Sequence, residues 1–176
     1  MELFNNDCVN KLKDFYDECI DMTVTSPPYD NLRTYNLEKL SVDYKALAKE
    51  LYRVTKKGGV VAWIVQDQTI NGDKDGTSIK RNDKWCDKVV SEYGVRFNVW
   101  DIPTEKKNKT GHPAVFPLKL ASDLITSWSN EDDVILDPFM GSGTTGLACK
   151  ELGRRFIGIE LNKEYFKNTK KRLLEI

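Results

Sequence analysis

The chain has 176 residues, and its 27 basic side chains balance 27 acidic ones, so its formal net charge is zero. This length suits one compact domain with a hydrophobic core, and the balanced charge excludes a globally basic nucleic-acid binder. The four cysteines form no CxxC pair and only one histidine is present, which argues against a metal site or a disulfide framework. Scattered cysteines, with no signal peptide or membrane-length apolar run, predict a cytoplasmic protein with no membrane contact.

The first half of the chain shows an alternation of strand and helix patterns. Strands are predicted at residues 2–6, 21–26 and 60–65, and helices at residues 9–20 and 41–59. The second strand ends at Pro27, because proline cannot donate to a sheet ladder. Ser41 or Asp43 is the predicted N-cap of the second helix, and Gly58-Gly59 is its predicted end.

The alternation resumes after a poorly patterned stretch at residues 66–110. A helix beginning near Pro117 is expected to turn Ile125 and Trp128 inward. Further elements are predicted as a strand at 133–139, a helix at 144–153, a strand at 155–161 and a helix at 163–176. Strands alternating with helices predict an α/β fold with a mostly parallel, doubly wound sheet.

A glycine loop lies between a predicted strand and a predicted helix in "VILDPFMGSGTTGLA". Its Gly141, Gly143 and Gly146 spell GxGxxG, and a loop in this position brings the free N–H groups of a helix N-terminus to a ligand. Glu160 ends the next strand, where a carboxylate accepts hydrogen bonds from ribose hydroxyls. A P-loop is disfavoured because Leu147 stands where that loop needs lysine. The pattern therefore predicts a nucleoside cofactor.

Asp137 bears on which nucleoside that is. It ends its strand beside the glycine loop, where a carboxylate repels a pyrophosphate and attracts a cation. S-adenosylmethionine carries an ammonium and a sulfonium and has no phosphate, so it is favoured. An NAD-dependent oxidoreductase that uses the same glycine loop is the alternative.

The segment "TSPPY" stiffens the backbone directly after a predicted strand. Pro27 biases Ser26 towards an extended backbone, and neither Pro27 nor Pro28 has an N–H to donate. The carbonyls of Ser26 and Pro27 are then available to one amino group that donates two hydrogen bonds, and Tyr29 offers a face for stacking. An exocyclic amino group on a purine or pyrimidine meets both requirements. The alternative is a stiff βα loop with a packing tyrosine.

Together, these two motifs resemble those of the amino-group DNA methyltransferases. "TSPPY" is similar to the family's [DNS]PP[YFW] motif, which grips the target base, and "DPFMGSGTTG" contains its FxGxG motif, which binds S-adenosylmethionine. The base motif precedes the cofactor motif, as in the permuted β group of the family. The segments "NNDCVNKL", "RVTKKGGVVAWIV" and "HPAVFPLKLA" resemble further family segments.

The resemblance implies a Rossmann-like class I S-adenosylmethionine-dependent methyltransferase fold whose partner is DNA. It divides one domain, residues 1–176, into a catalytic half at about 1–70, a short variable region at about 71–110 and a cofactor-binding half at about 111–176. The residues implied in catalysis are Ser26, Pro27, Pro28 and Tyr29. The residues implied in cofactor binding are Asp7, Pro117, Asp137, Pro138, Phe139, Gly141, Gly143, Thr144, Thr145 and Glu160.

The chain departs from the family in the length of its variable region. Family members usually carry there a β-hairpin that completes the sheet and a target-recognition region, whereas this interval holds about forty residues. Its Lys106, Lys107 and Lys109 are predicted to contact DNA phosphates. Two hypotheses follow, an active DNA methyltransferase and a catalytically impaired cofactor- or DNA-binding remnant. A homodimer is compatible with either.

The resemblance also implies a mechanism. The Pro27 carbonyl and Ser26 would accept the two N–H bonds of an amino group on a flipped base, and Tyr29 would stack on that base. The amino nitrogen would then attack the sulfonium methyl in line, so catalysis is mainly positioning. No cysteine follows a proline, which disfavours cytosine-C5 methylation through a covalent intermediate. Serine at position 26 favours cytosine N4 as the target, and adenine N6 stays open.

Overall fold

The computed structural model describes residues 1–28, 42–65, 69–70, 73–74 and 116–174, with the backbone alone at 69–70 and 73–74. The chain falls into two compact units, one of Met1–Val65 with Pro103–Ile176 and one of Gln66–Ile102. The predicted division of a single domain near residues 70 and 110 stays a prediction.

Seven strands and five helices are present in the described residues. The strands are β1 Glu2–Asn5, β2 Ile20–Thr25, β3 Thr55–Trp63, β4 Thr69–Ile70, β5 Asp73–Lys74, β6 Val134–Asp137 and β7 Arg155–Glu160. The helices are α1 Cys8–Leu12, α2 Tyr44–Val54, α3 Leu118–Trp128, α4 Thr144–Glu151 and α5 Lys163–Leu174. No described helix has the length and apolar character needed to cross a membrane.

Five of these strands form one sheet in the order β1-β7-β6-β2-β3, and every neighbouring pair is parallel. The predicted α/β fold with a parallel sheet is therefore confirmed. The chain runs from β6 outward to β7 on one side and from β2 outward to β3 on the other. The sheet therefore reverses its winding between β6 and β2, and ligands of open α/β sheets bind beyond the carboxyl ends of the strands at such a point.

Two buried clusters cover the two faces of the sheet. One packs α3, α4 and α5 against the strands and includes Met22, Ile125 and Phe156. The other packs α1 and α2 against the strands and includes Leu12 and Leu51. Ile125 is buried as predicted, but Trp128 is 59% exposed because it lies in the last turn of α3, so the prediction for Trp128 is wrong.

The first helix is shorter than predicted, since α1 ends at Leu12 rather than near residue 20. The guanidinium of Arg53, on α2, donates to the carbonyls of Leu12 at 2.7 Å and Phe15 at 2.8 Å. Glu18 then has a φ of +50°, which a right-handed helix does not accommodate. The apolar spacing of this segment is typical of a helix, but two of its backbone carbonyls accept hydrogen bonds from a distant arginine.

The glycine pair Gly58-Gly59 does not end α2 as predicted. The helix stops at Val54 and β3 begins at once, because Thr55 is already extended and pairs with Ile20. The next pair is Met22 with Val60, so β3 carries extra residues at a register shift that includes both glycines. Asp43 is the N-cap of α2, with its side chain accepting the N–H of Ala46, as one of the two predicted candidates.

Candidate active site

A cavity of about 450 Å³ lies beyond the carboxyl ends of the central strands. Four of the segments that line it follow strands of the sheet directly, and the start of α2 and Phe116 line it as well. The four segments contribute Asn6, Asp7 and Cys8 after β1, Ser26, Pro27 and Pro28 after β2, residues 138–142 after β6, and Glu160, Leu161 and Asn162 at the end of β7. Two motifs more than a hundred positions apart in the sequence thus meet at one cavity, because β2 and β6 are neighbours in the sheet.

Gly143 and Gly146 of the glycine loop allow close packing rather than facing the cavity. Gly143 is the N-cap of α4 with a φ of +78°, and a Cβ there would lie 2.6 Å from Cγ2 of Thr169 on α5. A Cβ on Gly146 would lie 2.8 Å from the ring of Phe156 on β7. These glycines therefore let α5 and β7 approach the start of α4. Gly141, with a φ of +46°, does line the cavity.

Helix α5 holds the carbonyl groups of the loop. The hydroxyl of Thr169 donates to the Gly141 carbonyl, and the guanidinium of Arg172 donates to the Ser142 carbonyl at 2.7 Å. The loop's own N–H groups are also engaged. The Gly143 N–H donates to the Met140 carbonyl at 2.7 Å, and the Gly141 N–H donates to Glu160. The loop is therefore fixed by protein contacts on both its donor and its acceptor side.

Glu160 is both a wall of the cavity and a support for the loop. Its Oε2 accepts the Gly141 N–H at 3.0 Å, and its Oε1 accepts the Asn162 N–H at 2.8 Å. Burial raises the pKa of this carboxyl, while the backbone N–H groups of Asn162 and Gly141 act in the opposite direction.

Asp7 lines the same cavity from the N-cap position of α1. It caps that helix by accepting the Asn10 N–H at 2.9 Å. The next residue, Cys8, is buried, and its pKa is raised to about 12 by desolvation and then by the charge of Asp7. A raised pKa keeps the thiol protonated at neutral pH, which disfavours a role as a nucleophile. Within the parts of the chain that the structure describes, no group of three or more His, Cys, Asp or Glu side chains is placed to hold a metal ion.

The proline motif is supported by an aromatic row. The Tyr44 hydroxyl donates to the Pro28 carbonyl at 3.2 Å. The Tyr44 ring meets Trp63 edge-on with 6.3 Å between centroids, and Trp63 meets Phe139 in the same way at 6.4 Å. The row joins α2, β3 and the loop after β6. Trp63 is 37% exposed and contributes to a second cavity of about 730 Å³, which shares Pro27 and Pro28 with the first and has largely apolar walls.

A protein-family model matches the chain and identifies its family. The N6/N4 methyltransferase family model, described as "DNA methylase", matches residues 72–171, more than half of the chain. The chain belongs to this DNA methylase family.

A curated relative supports the assignment over nearly the whole chain. The chain is 34% identical to the orphan methyltransferase M.BamHII of Bacillus amyloliquefaciens over 245 aligned positions, which cover 92% of each protein. The alignment is longer than this chain of 176 residues, so M.BamHII carries residues that face internal gaps here. Within the aligned region, the chain is thus shorter than M.BamHII.

Solved structures share the fold. The PvuII cytosine-N4-specific DNA methyltransferase has a TM-score of 0.70 at 19% identity, covering 98% of this chain and 86% of its own. M1.HpyAVI in complex with SAM has a TM-score of 0.61 at 27% identity, covering 98% of this chain and 99% of its own. The sheet of this family member is therefore that of S-adenosylmethionine-dependent methyltransferases.

Not every residue predicted from the family motifs lines the cavity. Asp7, Pro138, Phe139, Gly141 and Glu160 do, together with Ser26, Pro27 and Pro28. Other predicted residues lie outside its lining, namely Pro117 at the N-cap of α3, Asp137 at the end of β6, and Gly143, Thr144 and Thr145 at the start of α4. Tyr29, Lys106, Lys107 and Lys109 fall outside the described residues.

Asp137 lies behind the cavity wall, with 1% of its surface exposed. Its Oδ1 accepts the Thr25 hydroxyl at 2.7 Å and the Phe139 N–H at 3.1 Å, and its Oδ2 accepts the Thr145 hydroxyl at 2.7 Å. Desolvation raises its pKa to about 6, although these three donors favour the charged form. The sequence suggested that Asp137 attracts a cationic ligand directly. In the structure, its oxygens instead accept hydrogen bonds from groups of the protein.

Asn6, Asn162 and Tyr165 line the cavity without having been predicted. Asn162 also caps the start of α5, accepting the N–H groups of Glu164 at 2.9 Å and Tyr165 at 3.1 Å. An asparagine between a predicted strand and a predicted helix is a capping signal, so the sequence contained a sign of this residue. Asn6 follows β1 directly, and only the sheet order shows that β1 lies beside β7.

Proposed function

We propose that this chain transfers a methyl group from S-adenosylmethionine to an exocyclic amino group of a flipped base in DNA. The observation that carries the proposal is the single cavity that the base motif and the cofactor motif line together. Membership of the DNA methylase family supports this reaction class. Amino-group transfer needs both substrates at one site, because the nitrogen must attack the methyl group in line.

The residues of the cavity fit a nucleoside cofactor without phosphates. A dinucleotide would place its pyrophosphate on the N–H groups of the glycine loop. Those of Gly141 and Gly143 already have protein acceptors, and one of these acceptors is the carboxylate of Glu160. The cavity volume of about 450 Å³ lies within the range of small-molecule sites. These features favour S-adenosylmethionine over NAD.

In this proposal, Glu160 and Asp7 would bind the hydroxyl and amino groups of the nucleoside. Phe139 and Met140 would supply apolar contacts. When bound, S-adenosylmethionine supplies an electrophilic methyl group on a sulfonium. The glycine loop, held by α5, would keep the cofactor in one position.

The base motif would act by accepting hydrogen bonds. An aromatic amino nitrogen is a weak nucleophile because its lone pair is delocalised into the ring. The Pro27 carbonyl and Ser26 would accept its two N–H bonds and favour a pyramidal nitrogen, a form of electrostatic preorganisation. Tyr44 holds the neighbouring Pro28 carbonyl and so fixes the turn. Tyr29 would stack on the flipped base, and serine at position 26 favours cytosine N4 over adenine N6.

The alternative is a cofactor- or DNA-binding remnant with impaired catalysis. The internal gaps relative to M.BamHII favour it, because sequence recognition needs an element that enters a groove. The interval that remains would contact phosphates through Lys106, Lys107 and Lys109.

Two measurements test these proposals together. Isothermal titration with S-adenosylmethionine and with NAD is expected to show binding of the first alone. Transfer of a tritiated methyl group to DNA, followed by nucleoside mass spectrometry, is expected to give N4-methylcytosine. N6-methyladenine would correct the base, cofactor binding without transfer would favour the remnant, and NAD binding alone would refute both.

A further inference from the structure

One buried carboxylate connects the two halves of the cavity. Asp137 is the last residue of β6, and Thr25, which donates to it at 2.7 Å, is the last residue of β2. Thr145, which donates to it at 2.7 Å, lies in the first turn of α4. All three side chains are buried. A single side chain therefore joins two strand ends and one helix start.

Each of these bonds lies next to a motif. Thr25 directly precedes Ser26 and Pro27, and Phe139, whose N–H also donates to Asp137 at 3.1 Å, belongs to the FxGxG motif. The ladder between β2 and β6 pairs Met22 with Ile135 and Thr23 with Leu136. Beyond that pairing, towards the cavity, the Asp137 carboxylate links the two strand ends.

We propose that Asp137, through Thr25, is a positioning residue that sets the distance between the base motif and the glycine loop. The inference rests on the proposed function and deepens it, because that distance becomes the separation of methyl donor and amino acceptor. Asp137 acts from behind the wall and touches neither substrate.

The geometry suits a residue that fixes the distance between the base motif and the glycine loop. An ionised carboxylate only accepts, so both threonine hydroxyls must point at it and each has one orientation. Hydrogen bonds to a charged acceptor are stronger than neutral ones, and the buried site strengthens them further. A displacement of about 1 Å between reacting groups costs a rate factor on the order of 100. Loss of one of these bonds is therefore expected to slow transfer more than it weakens cofactor binding.

Strand β2 provides a matched control. Thr23 and Thr25 lie on the same strand with 0% of their surface exposed. The Thr23 hydroxyl has no hydrogen-bond partner in the described structure, whereas the Thr25 hydroxyl donates to Asp137. Thr23→Val and Thr25→Val thus remove the same group from similar surroundings, and only the second breaks the connection. Thr25→Ser keeps the hydroxyl and serves as the rescue.

The experiment measures the single-turnover rate of methyl transfer to DNA, the Kd for S-adenosylmethionine and the melting temperature of the full chain and its variants. We expect Thr25→Val and Asp137→Asn to lower the rate at least tenfold with Kd changed less than threefold. Thr25→Ser and Thr23→Val are expected to stay within threefold of the wild-type rate.

Two results would overturn this inference without refuting the proposed function. Equal rates for Thr25→Val and Thr23→Val would show that the bond to Asp137 does not matter for transfer. A rate that falls only in parallel with cofactor affinity and melting temperature would show a merely structural role. A wild-type chain that transfers no methyl group to any DNA would instead refute the proposed function, and this inference with it.

Discussion

The Glu160 carboxylate accepts the backbone N–H of Gly141 at 3.0 Å, so a cavity-lining acid also holds the glycine loop in place. Its second oxygen accepts the Asn162 N–H at 2.8 Å. Both oxygens therefore serve as acceptors for backbone groups from different loops. An amide at this position would have to direct its NH₂ group at one of these two donors.

Glu160→Gln is expected to weaken S-adenosylmethionine binding at least tenfold. The variant loses one hydrogen bond to a charged group, which contributes about 1.5–3 kcal/mol of free energy. The NH₂ group of its glutamine would also point at a backbone N–H, so that two donors oppose each other. Isothermal titration at pH 7 measures the change. Glu151→Gln, at an exposed position at the end of α4, is the control and should bind normally. Unchanged affinity in Glu160→Gln would remove this residue from the cofactor site.

Gly143→Ala and Gly58→Ala separate backbone strain from steric clash. Both glycines have positive φ values, +78° and +84°, where a side chain costs about 1–2 kcal/mol. A Cβ at Gly58 meets nothing within 4 Å, whereas one at Gly143 meets Thr169 at 2.6 Å. Urea unfolding should therefore show a larger loss of stability for Gly143→Ala. Only this variant should also lose cofactor affinity, because α5 holds the loop through Thr169 and Arg172. Equal losses in both variants would contradict the role of this contact.

The sequence predicted the alternation of elements because apolar runs and glycine signals are local. β2, β6 and β7 each appear as a short apolar segment that ends in a motif, and the sheet follows from that order. The meeting of Ser26 with Gly141 was predictable for the same reason, since both follow parallel strands. The resemblance to a family then suggested a chemistry for the two loops, which stays a proposal.

Features that depend on distant side chains were not predictable. At the end of α1, the carbonyl of Leu12 accepts a hydrogen bond from Arg53, which no pattern around Leu12 indicates. Gly143 looked like a contact for the ligand, but its missing Cβ makes room for α5. Asp137 looked like a charge that faces the cofactor, but Thr25 lies on the neighbouring strand and takes up one of its oxygens. In each case the deciding partner is far away in the sequence.

Asp137 should make stability depend on pH in the acidic range. Its pKa rises from an ordinary 3.8 to about 6 in the folded chain, so between these values the folded state binds more protons than the unfolded state. Stability from this group is therefore complete below about pH 4 and is lost as pH rises through about 6, by an amount on the order of 3 kcal/mol. Urea unfolding of the wild type and of Asp137→Asn across this range gives the difference.

The titration of two groups near Asp137 also bears on that measurement. Burial raises the pKa of Glu160 in both proteins, and the charge of Asp137 adds to this only in the wild type, while the Cys149 thiol, with a pKa of about 12, does not titrate in this range. A stability difference between wild type and Asp137→Asn that is flat from pH 4 to pH 7 would contradict the buried, titrating carboxyl.

Thr23→Val should stabilise the chain. The Thr23 hydroxyl is buried without a hydrogen-bond partner in the described structure, and an unsatisfied buried polar group costs about 1–3 kcal/mol. Valine has nearly the same shape and suits a central strand, so the free energy of unfolding should rise by about 1 kcal/mol. Thr25→Val should change it in the opposite direction. A loss of stability in Thr23→Val would indicate that its hydroxyl has an acceptor after all.

DNA methylation by this chain alone is expected to show weak sequence selectivity. Base readout needs an element that enters a groove and presents several side chains to base edges. The chain has internal gaps when it is aligned with M.BamHII, and the interval at residues 66–110 contains mainly turn residues and lysines. Lysine contacts to phosphates carry no sequence information, so affinity should fall steeply with salt and differ little between unrelated duplexes.

The lysines of the interval provide a direct test of that expectation. Each of Lys106→Gln, Lys107→Gln and Lys109→Gln should weaken binding to all duplexes alike and lower the salt slope by about one. Lys57→Gln is the control. Lys57 is exposed near the amino end of β3, whereas the cavity lies beyond the carboxyl ends of the strands. Single-molecule sequencing of a methylated mixed-sequence library then gives the modified positions. Modification confined to one motif of about four or more base pairs would show that the interval, or a second copy of the chain, recognises bases directly, because phosphate contacts alone cannot distinguish one sequence from another.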